Sequence, residues 1–358
     1  MCNKGGKPAS FVLLALFIFI TAYQAKAQER LCDASFEDCR TPIWTLIDNE
    51  NTEIDVGFWF MQDTSYADKI IARFQAGVKV RIIVDPRADA TESGNQQILA
   101  QFAQAGIPME YKLAGGIYHW KMMLFAGQQT VQFSGADYGP FFFVPATPYT
   151  NYIDESPYFS DDPVVVDSFE TEFDTLWTDS ADYGPFANIS GTPMASYPTY
   201  DISSDLCFPP TVNNPLDNFG TRAVQQMDQE NQKIDADMYR ITSLDFSTAS
   251  TEAVQRGVPV RLLGDSSQYR TPSRLWDSYN VDLMHMAGVQ IKFPNHQGIN
   301  HQKSMLLYGQ AMTVYGSSNW TGPSENSQAE HNYFTTKPWF FQWFVNQFER
   351  KWNSSVEY

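Results

Sequence analysis

The chain has 358 residues, a formal net charge of -17 and an aromatic content of 15%. This length is enough for two domains, each with its own hydrophobic core. A nucleic-acid groove normally carries a basic stripe, because neutralisation of phosphate supplies most of the affinity, and the sequence shows no such stripe. The acidic balance therefore argues against a nucleic-acid-binding protein, although an acidic protein can still contain a local basic pocket.

The N-terminal segment has the three parts of a secretory signal. Lys4 and Lys7 precede an apolar run at 11–20, and the segment closes with the small-residue sequence Ala-Lys-Ala27. An uncleaved membrane anchor is the alternative, but the apolar run is short for a bilayer span. We therefore expect residues 1–27 to be removed as a signal peptide and the mature protein to be secreted or periplasmic.

Three cysteines, Cys32, Cys39 and Cys207, follow the expected cleavage point. An oxidising compartment would allow Cys32 to pair with Cys39 across a short loop, or either of them to pair with Cys207. The local pair is favoured, which leaves one thiol.

The first half of the mature chain predicts strands and helices in alternation. The predicted elements, in chain order, are a strand at 54–61, a helix at 66–75, a strand at 78–84, a helix at 98–105, and strands at 122–125 and 130–133. The half ends with a helix that carries Phe169, Phe173 and Trp177 on one face. Such a stripe, at four-residue spacing, is typical of a helix packed on a core.

The second half repeats the first. Residues 47–55 return as 227–235 and residues 76–85 return as 256–265, both displaced by 180 positions. The displacement grows to 182 between His119 and His301 and to 183 between Ser134 and Ser317, which small loop changes explain. The final helix repeats the aromatic stripe with Phe344, Phe348 and Trp352.

This pattern predicts four parts in the chain. They are the signal peptide at 1–27, an N-terminal α/β lobe at 28–178, a linker at 179–219 that is rich in Pro, Gly, Ser and Asn, and a C-terminal α/β lobe at 220–358. A duplicated unit with a duplicated motif indicates one active site shared between the two lobes.

Each half carries a His-x-Lys sequence, with His119 and Lys121 in the first and His301 and Lys303 in the second. A phosphodiester can be cleaved without a metal when a neutral imidazole attacks phosphorus and a second, protonated imidazole donates to the leaving oxygen. A lysine two residues after a histidine projects from the same face of a strand, so its ammonium can bind a non-bridging phosphate oxygen. The two pairs therefore predict one cationic pocket for one phosphate.

A single His-x-Lys is a weak signal, because a surface strand explains most of its occurrences. This chain has only five histidines, however, and two of them occupy equivalent places in the repeat. His285, His296 and His331 have no counterpart in the first half and are interpreted as structural or pocket-lining. A zinc site built on His296 and His301 is the less favoured alternative, since no cysteine or repeated carboxylate has ligand spacing, and we predict no metal and no cofactor.

The motif resembles that of the phospholipase D superfamily, which is His-x-Lys-x4-Asp followed by Gly-Ser-x-Asn and a later glutamate. The second half has Gly316-Ser-Ser-Asn319 and Glu330, and the first has Ser134 and Glu155. The resemblance covers nearly the whole mature chain. It implies two α/β lobes, each a mainly mixed β-sheet flanked by helices, related by a pseudo-twofold axis with the site between them.

The resemblance also implies a role for each motif residue. His119 would be the nucleophile and His301 the general acid, and Glu155 and Glu330 would orient the two rings. The phosphate would be bound by Lys121, Lys303, Ser134, Ser317 and Asn319. The second motif is the better preserved, so the two histidines could exchange roles.

Three positions depart from the family pattern. Ala126 and Tyr308 stand where the motif aspartate is expected, and Ala136 stands where the first asparagine is expected. The aspartate usually has a supporting role, so its loss need not abolish activity, whereas loss of the asparagine removes a phosphate ligand. The adjacent Asp137 has the wrong charge to replace it. A catalytically inactive protein that binds lipid or phosphate is therefore an alternative.

The interval from Ser134 to Glu155 is eight residues longer than that from Ser317 to Glu330, and the extra residues fall in the apolar loop 138–145. The three consecutive phenylalanines of this loop suit an acyl chain or a membrane surface, but they could equally cap the lobe core. Together with the acidic charge, the loop favours a secreted phospholipase D acting on a phospholipid headgroup phosphodiester over a metal-independent endonuclease. The headgroup, the choice between hydrolysis and transfer to an alcohol, and the oligomeric state stay open, and a monomer is compatible with the sequence.

Overall fold

The computed structural model describes residues 1–2, 29–113, 115–210 and 218–358. Apart from its first two positions, the predicted signal peptide lies outside the described residues. In the part of the chain that the structure describes, no helix combines the length and the apolar character that crossing a bilayer requires.

A disulfide joins Cys32 to Cys39 at the start of the first lobe. This confirms the local pair that the sequence favoured. Both cysteines are also tied to the lobe through the backbone, because Cys32 N donates to Pro157 O and Cys39 N donates to Phe143 O. The third cysteine, Cys207, is buried in the second lobe.

The first lobe is an eight-stranded mixed sheet with helices packed against it. Its strands are β1 (Arg30–Leu31), β2 (Glu53–Phe58), β3 (Lys79–Val84), β4 (Met109–Lys112), β5 (Lys121–Phe125), β6 (Thr130–Phe133), β7 (Tyr158–Ser160) and β8 (Tyr183–Ala187). Its helices are α1 (Arg40–Asn49), α2 (Thr64–Gln75), α3 (Asn95–Ala105) and α4 (Pro163–Thr178), with short 3₁₀ helices at Pro86–Ala90 and Ala126–Gln128. The strand order is β1-β7-β6-β5-β2-β3-β4-β8. Strands β2, β3 and β4 are parallel, and the other pairs are antiparallel.

The second lobe has the same construction. Its strands are β9 (Leu206–Cys207), β10 (Ile234–Met238), β11 (Val260–Gly264), β12 (Gln290–Phe293), β13 (Lys303–Leu307), β14 (Met312–Gly316), β15 (Asn332–Thr335) and β16 (Val356–Glu357). Its helices are α5 (Phe219–Gln229), α6 (Leu244–Gln255), α7 (Leu275–Met286), α8 (Gly322–Asn326) and α9 (Pro338–Ser354). Read from β9, the strand order is β9-β15-β14-β13-β10-β11-β12-β16. Strands β10, β11 and β12 are parallel, and the remaining pairs are antiparallel.

The two lobes meet through reciprocal contacts. A backbone bridge joins Tyr118 to Ala329, and its counterpart joins Asn300 to Asp154. Contacts in which each side contributes the same two positions are what a twofold arrangement produces. The structure therefore confirms the predicted fold class of two α/β lobes, each a mixed sheet flanked by helices, in a pseudo-twofold arrangement.

The aromatic stripes of α4 and α9 are core, as the sequence predicted. All six of their rings are buried, namely those of Phe169, Phe173, Trp177, Phe344, Phe348 and Trp352. They belong to one hydrophobic cluster with Phe133 of β6 and Tyr315 of β14, whose ring centroids are 5.9 Å apart. Burial of each such ring contributes about 1.5 to 3 kcal/mol. This cluster packs the two lobes against each other and so fixes the cleft between them.

The segment predicted as a linker contains regular structure where it is described. Strand β8 extends the first sheet beside β4, and β9 extends the second sheet beside β15. Between these strands the chain is held against α4, because Asp174 accepts the backbone N–H groups of Ser196 and Tyr197, each at 2.7 Å. The connection is thus bound along both lobes.

Candidate active site

A cavity of about 440 Å³ opens between the two lobes, and both motif histidines line it. The first lobe also contributes Trp59, Phe60, Glu92, Asp137 and Phe142, and the second lobe contributes Tyr239, Arg240, Thr242, Asn319 and Thr321. The structure therefore brings His119 and His301, which are 182 positions apart, to one site.

Each histidine lies just before a central strand of its own sheet, and its backbone is held by the other lobe. His119 N donates to Ala329 O at 2.8 Å, and His301 N donates to Asp154 O at 3.1 Å. The side chains are only 12% and 13% exposed, so each ring reaches the cavity through one edge. The fold positions both imidazoles before any ligand arrives.

The two predicted glutamates cross over between the lobes. Nδ1 of His119 lies 2.8 Å from Oε2 of Glu330, and Nδ1 of His301 lies 3.4 Å from Oε2 of Glu155. Each histidine is thus oriented by the glutamate of the opposite lobe. A carboxylate on one ring nitrogen fixes the tautomer and leaves the other nitrogen for chemistry.

The two motif lysines are buried beside the histidines. Lys121 Nζ donates to His119 O at 2.8 Å and lies 3.3 Å from Oδ2 of Asp137. Lys303 Nζ donates to His301 O at 2.6 Å and lies 3.1 Å from Nδ1 of the same ring. Burial lowers the pKa of both ammonium groups, that of Lys303 to about 8. Their charge is therefore poorly solvated and lies beside the two rings that line the cavity.

The two histidine–glutamate pairs differ in protonation. Burial raises the pKa of Glu155 to about 7, although Lys303 opposes the rise. Burial acts on Glu330 in the same direction, but His119, Lys121 and the hydroxyl of Ser317 outweigh it and lower the pKa of that carboxyl. Glu330 is therefore ionised at neutral pH, whereas Glu155, with its raised pKa, is the more readily protonated of the two.

The histidines show the matching difference. Burial lowers the pKa of His119, and Glu330 counteracts part of that effect. Burial together with Lys303, Lys121 and His119 lowers the pKa of His301 much further. Both rings are therefore neutral near pH 7, and His119 is the one with an ionised partner at short range.

Strand register corrects the alignment of the two serine-containing turns. Lys121 pairs with Ser134 in the first sheet, since Ser134 N donates to Lys121 O, while Lys303 aligns with Gly316 in the second. Ser134 is therefore the counterpart of Gly316. The displacement stays at 182, and the predicted pairing of Ser134 with Ser317 at 183 is wrong.

Two consequences of this register concern the predicted phosphate ligands. The counterpart of Asn319 is Asp137, not Ala136, and both line the cavity. Ser134 is buried and donates its hydroxyl to Ala136 O at 2.9 Å, so it does not face the cavity in this structure. Ser317 donates to Oε2 of Glu330 at 2.5 Å and so supports the glutamate.

Asp137 and Asn319 occupy equivalent places with different side chains. Oδ1 of Asp137 accepts the backbone N–H groups of Trp59 at 3.0 Å and Phe60 at 2.9 Å. Oδ1 of Asn319 has no partner among the described residues. The first turn thus holds its carboxylate by backbone bonds and by Lys121, while the second leaves an amide for a ligand.

A family model described as "Cardiolipin synthase, PLD-like domain" matches residues 43–177 and 223–352. The two matches cover more than half of the chain and fall on the two lobes. The chain belongs to the phospholipase D-like family.

Two curated relatives are similar to part of this phospholipase D-like chain. A mitochondrial cardiolipin hydrolase of Chlamydomonas reinhardtii is 23% identical over 133 residues, covering 37% of this chain and 57% of that protein. A mitochondrial cardiolipin hydrolase of Drosophila melanogaster is 22% identical over 152 residues, covering 37% of this chain and 58% of that protein. The chain therefore spans less than two thirds of the length of the curated relatives that it matches.

Solved structures share the two-lobed phospholipase D-like fold. Phosphatidylserine synthase of Haemophilus influenzae superposes with a TM-score of 0.70 at 13% identity, covering 92% of this chain and 87% of that one. Polyphosphate kinase of Porphyromonas gingivalis gives a TM-score of 0.63 at 12% identity, covering 92% of this chain and 48% of that one. At these identities the similarity concerns the fold alone.

Tyr308 stands at the position of the family's motif aspartate in the second half and contacts a buried carboxylate. Tyr308 donates its hydroxyl to Oδ2 of Asp235 at 2.7 Å, and Asp235 also binds Arg261. In the first lobe Ala126 cannot make this contact, but Tyr197 of the connecting segment donates to Asp55 at 2.6 Å. Both lobes therefore keep a hydroxyl on the equivalent buried aspartate.

The three phenylalanines of the inserted loop have three different environments. Phe143 is 1% exposed and belongs to the first-lobe core. Phe142 lines the cavity with its ring centroid 5.6 Å from that of His301. Phe141 is 65% exposed. Phe143 thus packs in the core, as one alternative for this loop predicted, while Phe141 and Phe142 are placed where a ligand or a membrane can reach them.

The other three histidines lie outside the catalytic pair. His285 stacks on Tyr358 and His296 stacks on Tyr152, with centroids 4.0 and 3.9 Å apart. His331 is buried and its Nε2 accepts Lys121 N at 3.2 Å, so it supports the first motif from behind. Among the described residues, no group of three or more histidine, cysteine, aspartate or glutamate side chains is arranged to hold a metal.

Sequence reasoning missed the cavity residues that follow the central strands. Trp59 and Phe60 follow β2, and Tyr239 and Arg240 follow β10 at the equivalent positions. The ring centroid of Tyr239 is 4.6 Å from that of His301. The carboxyl ends of central strands in open α/β sheets are common ligand positions, and that rule could have found them.

Proposed function

We propose that this protein is a secreted or periplasmic phospholipase D-type hydrolase that cleaves a phospholipid headgroup phosphodiester through a phosphohistidine intermediate. The observation that carries the proposal is the pair of histidines in one cavity, each bound through Nδ1 to the glutamate of the opposite lobe. Two imidazoles that line one cavity, each with a glutamate at Nδ1, can act on one phosphorus as nucleophile and acid through their Nε2 atoms.

In the first step, Nε2 of His119 attacks phosphorus. The 2.8 Å contact with ionised Glu330 places the ring proton on Nδ1 and keeps the lone pair on Nε2. The bond from phosphorus to the headgroup oxygen breaks as a phosphorus–nitrogen bond forms, and His301 gives its proton to the departing alcohol. In the second step, His301 takes a proton from water, the oxygen of that water bonds to phosphorus, and the phosphorus–nitrogen bond breaks.

His301 must be protonated for the first step, and the bound substrate supplies the reason. Burial is the main cause of the low pKa of His301, and the ammonium groups of Lys303 and Lys121 lower it further. An anionic phosphodiester bound among these cations offsets their effect and raises the pKa of His301. Protonation of the acid is thereby coupled to arrival of the substrate.

The phosphate is bound by the cations beside the rings. Lys121 and Lys303 are buried, so their attraction to a non-bridging oxygen is screened less than it would be in bulk water. Asn319 adds a hydrogen-bonding amide at the cavity wall. The carboxylate of Asp137 offsets part of the positive field of Lys121. The first-lobe half of the pocket therefore attracts phosphate less strongly than the second-lobe half.

The preference for a lipid rests on the apolar wall. Trp59, Phe60 and Phe142 line the cavity, and the exposed Phe141 lies next to them in sequence. An apolar wall that continues to an exposed ring suits a glycerolipid at a membrane surface. The two relatives that match part of this chain are named as cardiolipin hydrolases. A lipid substrate for this chain agrees with the apolar wall.

The test is a parallel assay of the purified mature protein, with chelator present, on phosphatidylcholine vesicles, cardiolipin vesicles and single-stranded DNA. We expect lipid turnover that survives the chelator and disappears in His119→Ala and His301→Ala. Cleavage of DNA without lipid turnover would overturn the lipid assignment, and reversible loss of activity in chelator would overturn the two-histidine mechanism.

The proposed location is tested separately by expressing the full chain with a C-terminal tag in a secreting host. We expect the tagged protein outside the cytoplasm, with its N-terminus at Gln28. A cytoplasmic protein that retains Met1 would contradict the location and leave the chemistry untouched.

A further inference from the structure

The walls of the cavity differ in charge in a way that the catalytic mechanism does not use. Trp59 and Phe60 of the first lobe occupy the same places, 180 positions apart, as Tyr239 and Arg240 of the second. The first-lobe wall therefore has the ring of Phe60 where the second-lobe wall has the guanidinium of Arg240. The first-lobe wall also carries two carboxylates, those of Glu92 and Asp137.

Arg240 has no ion-pair partner among the described residues. In the part of the chain that the structure describes, Nε of Arg240 is buried without a hydrogen-bond partner, and the side chain forms no ion pair. Arg81 and Arg261, by contrast, each bind carboxylates of neighbouring strands and helices. Arg274, at the start of α7, is close enough to lower the pKa of Arg240 together with burial, so a second cation adjoins the first.

This arrangement is unfavourable unless a ligand completes it. A partly buried charge without a counter-ion is destabilising, and a guanidinium presents its donors in a fork that matches a carboxylate or a phosphate. Asp277 lies close enough to act on Arg240 electrostatically, but its Oδ2 is taken by Ile241 N at 2.6 Å. In the described part of the chain no carboxylate forms an ion pair with Arg240, and the cavity gives a ligand access to it.

We propose that Arg240 binds a second anionic group of the substrate, a phosphate or a carboxylate, on the second-lobe side of the scissile phosphodiester. The inference rests on the proposed function and narrows it to phospholipids whose headgroup carries its own negative charge. Glu92 and Asp137 repel that charge from the first-lobe wall, so the headgroup points toward Arg240 and the diacylglycerol toward Trp59, Phe60 and Phe142.

The first experiment compares two soluble lipids that differ by one carboxylate. Dihexanoyl phosphatidylserine and dihexanoyl phosphatidylethanolamine are assayed below their micelle concentrations in the wild type, Arg240→Gln, Arg240→Lys and Arg270→Gln. Arg270 is the control, since it is an exposed arginine shortly before α7 and does not line the cavity. Thermal melting of each variant reports on folding.

We expect the wild type to prefer the serine lipid by at least about tenfold in kcat/KM, through KM, because charge-assisted hydrogen bonds are of that strength. Arg240→Gln removes the preference by losing activity on the serine lipid alone. Arg240→Lys retains part of the preference, and Arg270→Gln retains all of it. An equal loss on both lipids, or no loss in Arg240→Gln, overturns the subsite.

A binding experiment separates this inference from the proposed function. Glycerol 1,3-bisphosphate and glycerol 3-phosphate are titrated into the wild type and Arg240→Gln by calorimetry. We expect the bisphosphate to bind the wild type about tenfold tighter than the monophosphate, and the two to bind the variant alike. If no lipid is hydrolysed but this result holds, the proposed function fails and the anion subsite stands.

Two further outcomes complete the test. If lipids are hydrolysed and neither experiment depends on Arg240, the proposed function stands and the subsite fails. If single-stranded DNA is cleaved in an Arg240-dependent manner without lipid turnover, the second anion is the neighbouring phosphate of a strand, and the phospholipid assignment is overturned.

Discussion

The two histidine–glutamate pairs have the same construction and unequal electrostatics. His119 has an ionised glutamate at 2.8 Å, whereas His301 has a glutamate of raised pKa at 3.4 Å and a lysine at 3.1 Å from the same nitrogen. One ring is therefore prepared to keep a lone pair on Nε2. The other waits for a substrate anion before it can hold a proton.

The phosphate ligands of the two lobes differ in the same way. Asn319 offers an amide to the cavity, and Asp137 at the equivalent place offers a carboxylate. The duplicated fold thus supplies two similar frames, and single substitutions give the two halves of the cavity different charges. Five experiments test this difference between the two lobes.

The largest effect is expected from removing either ring. His119→Ala and His301→Ala should each lower turnover by at least about a thousandfold, because one loses the nucleophile and the other the acid. Rapid quenching with substrate labelled at phosphorus should then place the label on His119 in the wild type. Label on His301 would reverse the two roles while leaving the paired mechanism intact.

The glutamates should follow with a difference between them. Glu330→Gln is expected to lower kcat by about a hundredfold, since it removes the charge that fixes the tautomer of the nucleophile. Glu155→Gln should cost less than about tenfold, because an amide replaces a carboxyl that is already partly protonated. Steady-state kinetics of the two variants decides the matter, and equal losses would contradict the assigned asymmetry.

The inserted loop offers a comparison between adjacent rings. Phe141→Ser should weaken binding to lipid vesicles by more than about tenfold, because insertion of one ring is worth about 1.5 to 3 kcal/mol, and should leave the melting temperature unchanged. Phe143→Ser should instead lower the melting temperature, as its ring is core. Vesicle co-sedimentation and calorimetry measure the two effects, and a lower melting temperature in both variants would show that the whole loop is structural.

Exchanging the side chains of the equivalent turns should shift phosphate affinity by several-fold in opposite directions. Asp137→Asn removes a negative charge 3.3 Å from Lys121 and should tighten competitive inhibition by inorganic phosphate. Asn319→Asp adds a charge at the equivalent place and should weaken it. Inhibition constants measured at fixed ionic strength test this pair, and shifts in the same direction would show that charge is not the cause.

The smallest effect concerns stability against pH. The pKa of Glu155 is raised in the folded protein, so folding favours its protonated form and its contribution to stability is lost as pH rises toward about 7. Glu155→Gln should therefore gain stability relative to wild type between about pH 5 and pH 8. The pKa of Glu330 is lowered, so its contribution to stability is present above the ordinary range of a carboxyl and is lost as the pH falls through that range. Glu330→Gln should therefore be less stable than wild type by the same amount at about pH 5 and at about pH 8. Denaturant unfolding at both pH values measures the two differences, and parallel curves would contradict the assigned protonation states.

The sequence predicted the fold because the repeat is carried by strands and helix stripes that any reader of periodicity can align. The aromatic stripe at Phe169, Phe173 and Trp177 is buried as predicted. The same repeat identified the histidines, lysines and glutamates that the structure brings together. What a linear pattern could not show is that each glutamate crosses to the other lobe, because that depends on how two finished units dock.

Local register and direction were the other limits. Ser134 was matched to Ser317 by residue type, whereas the hydrogen bond from Ser134 N to Lys121 O shows that its counterpart is Gly316. Arg240 carries no motif, so only its place at the end of a central strand reveals it. The inserted phenylalanines look alike in sequence, and only backbone direction decides which one is buried.

Reciprocal backbone hydrogen bonds, from His119 N to Ala329 O and from His301 N to Asp154 O, join the two lobes beside both histidines. The geometry of the cleft therefore depends on how the lobes are docked. A small opening of the lobes breaks both bonds at once and takes each glutamate away from its ring. Neither ring has its glutamate partner unless the two lobes are docked, so we expect both pairs to be lost together when the lobes separate. Catalytic competence is a cooperative property, gained and lost together with the closed arrangement of the two lobes.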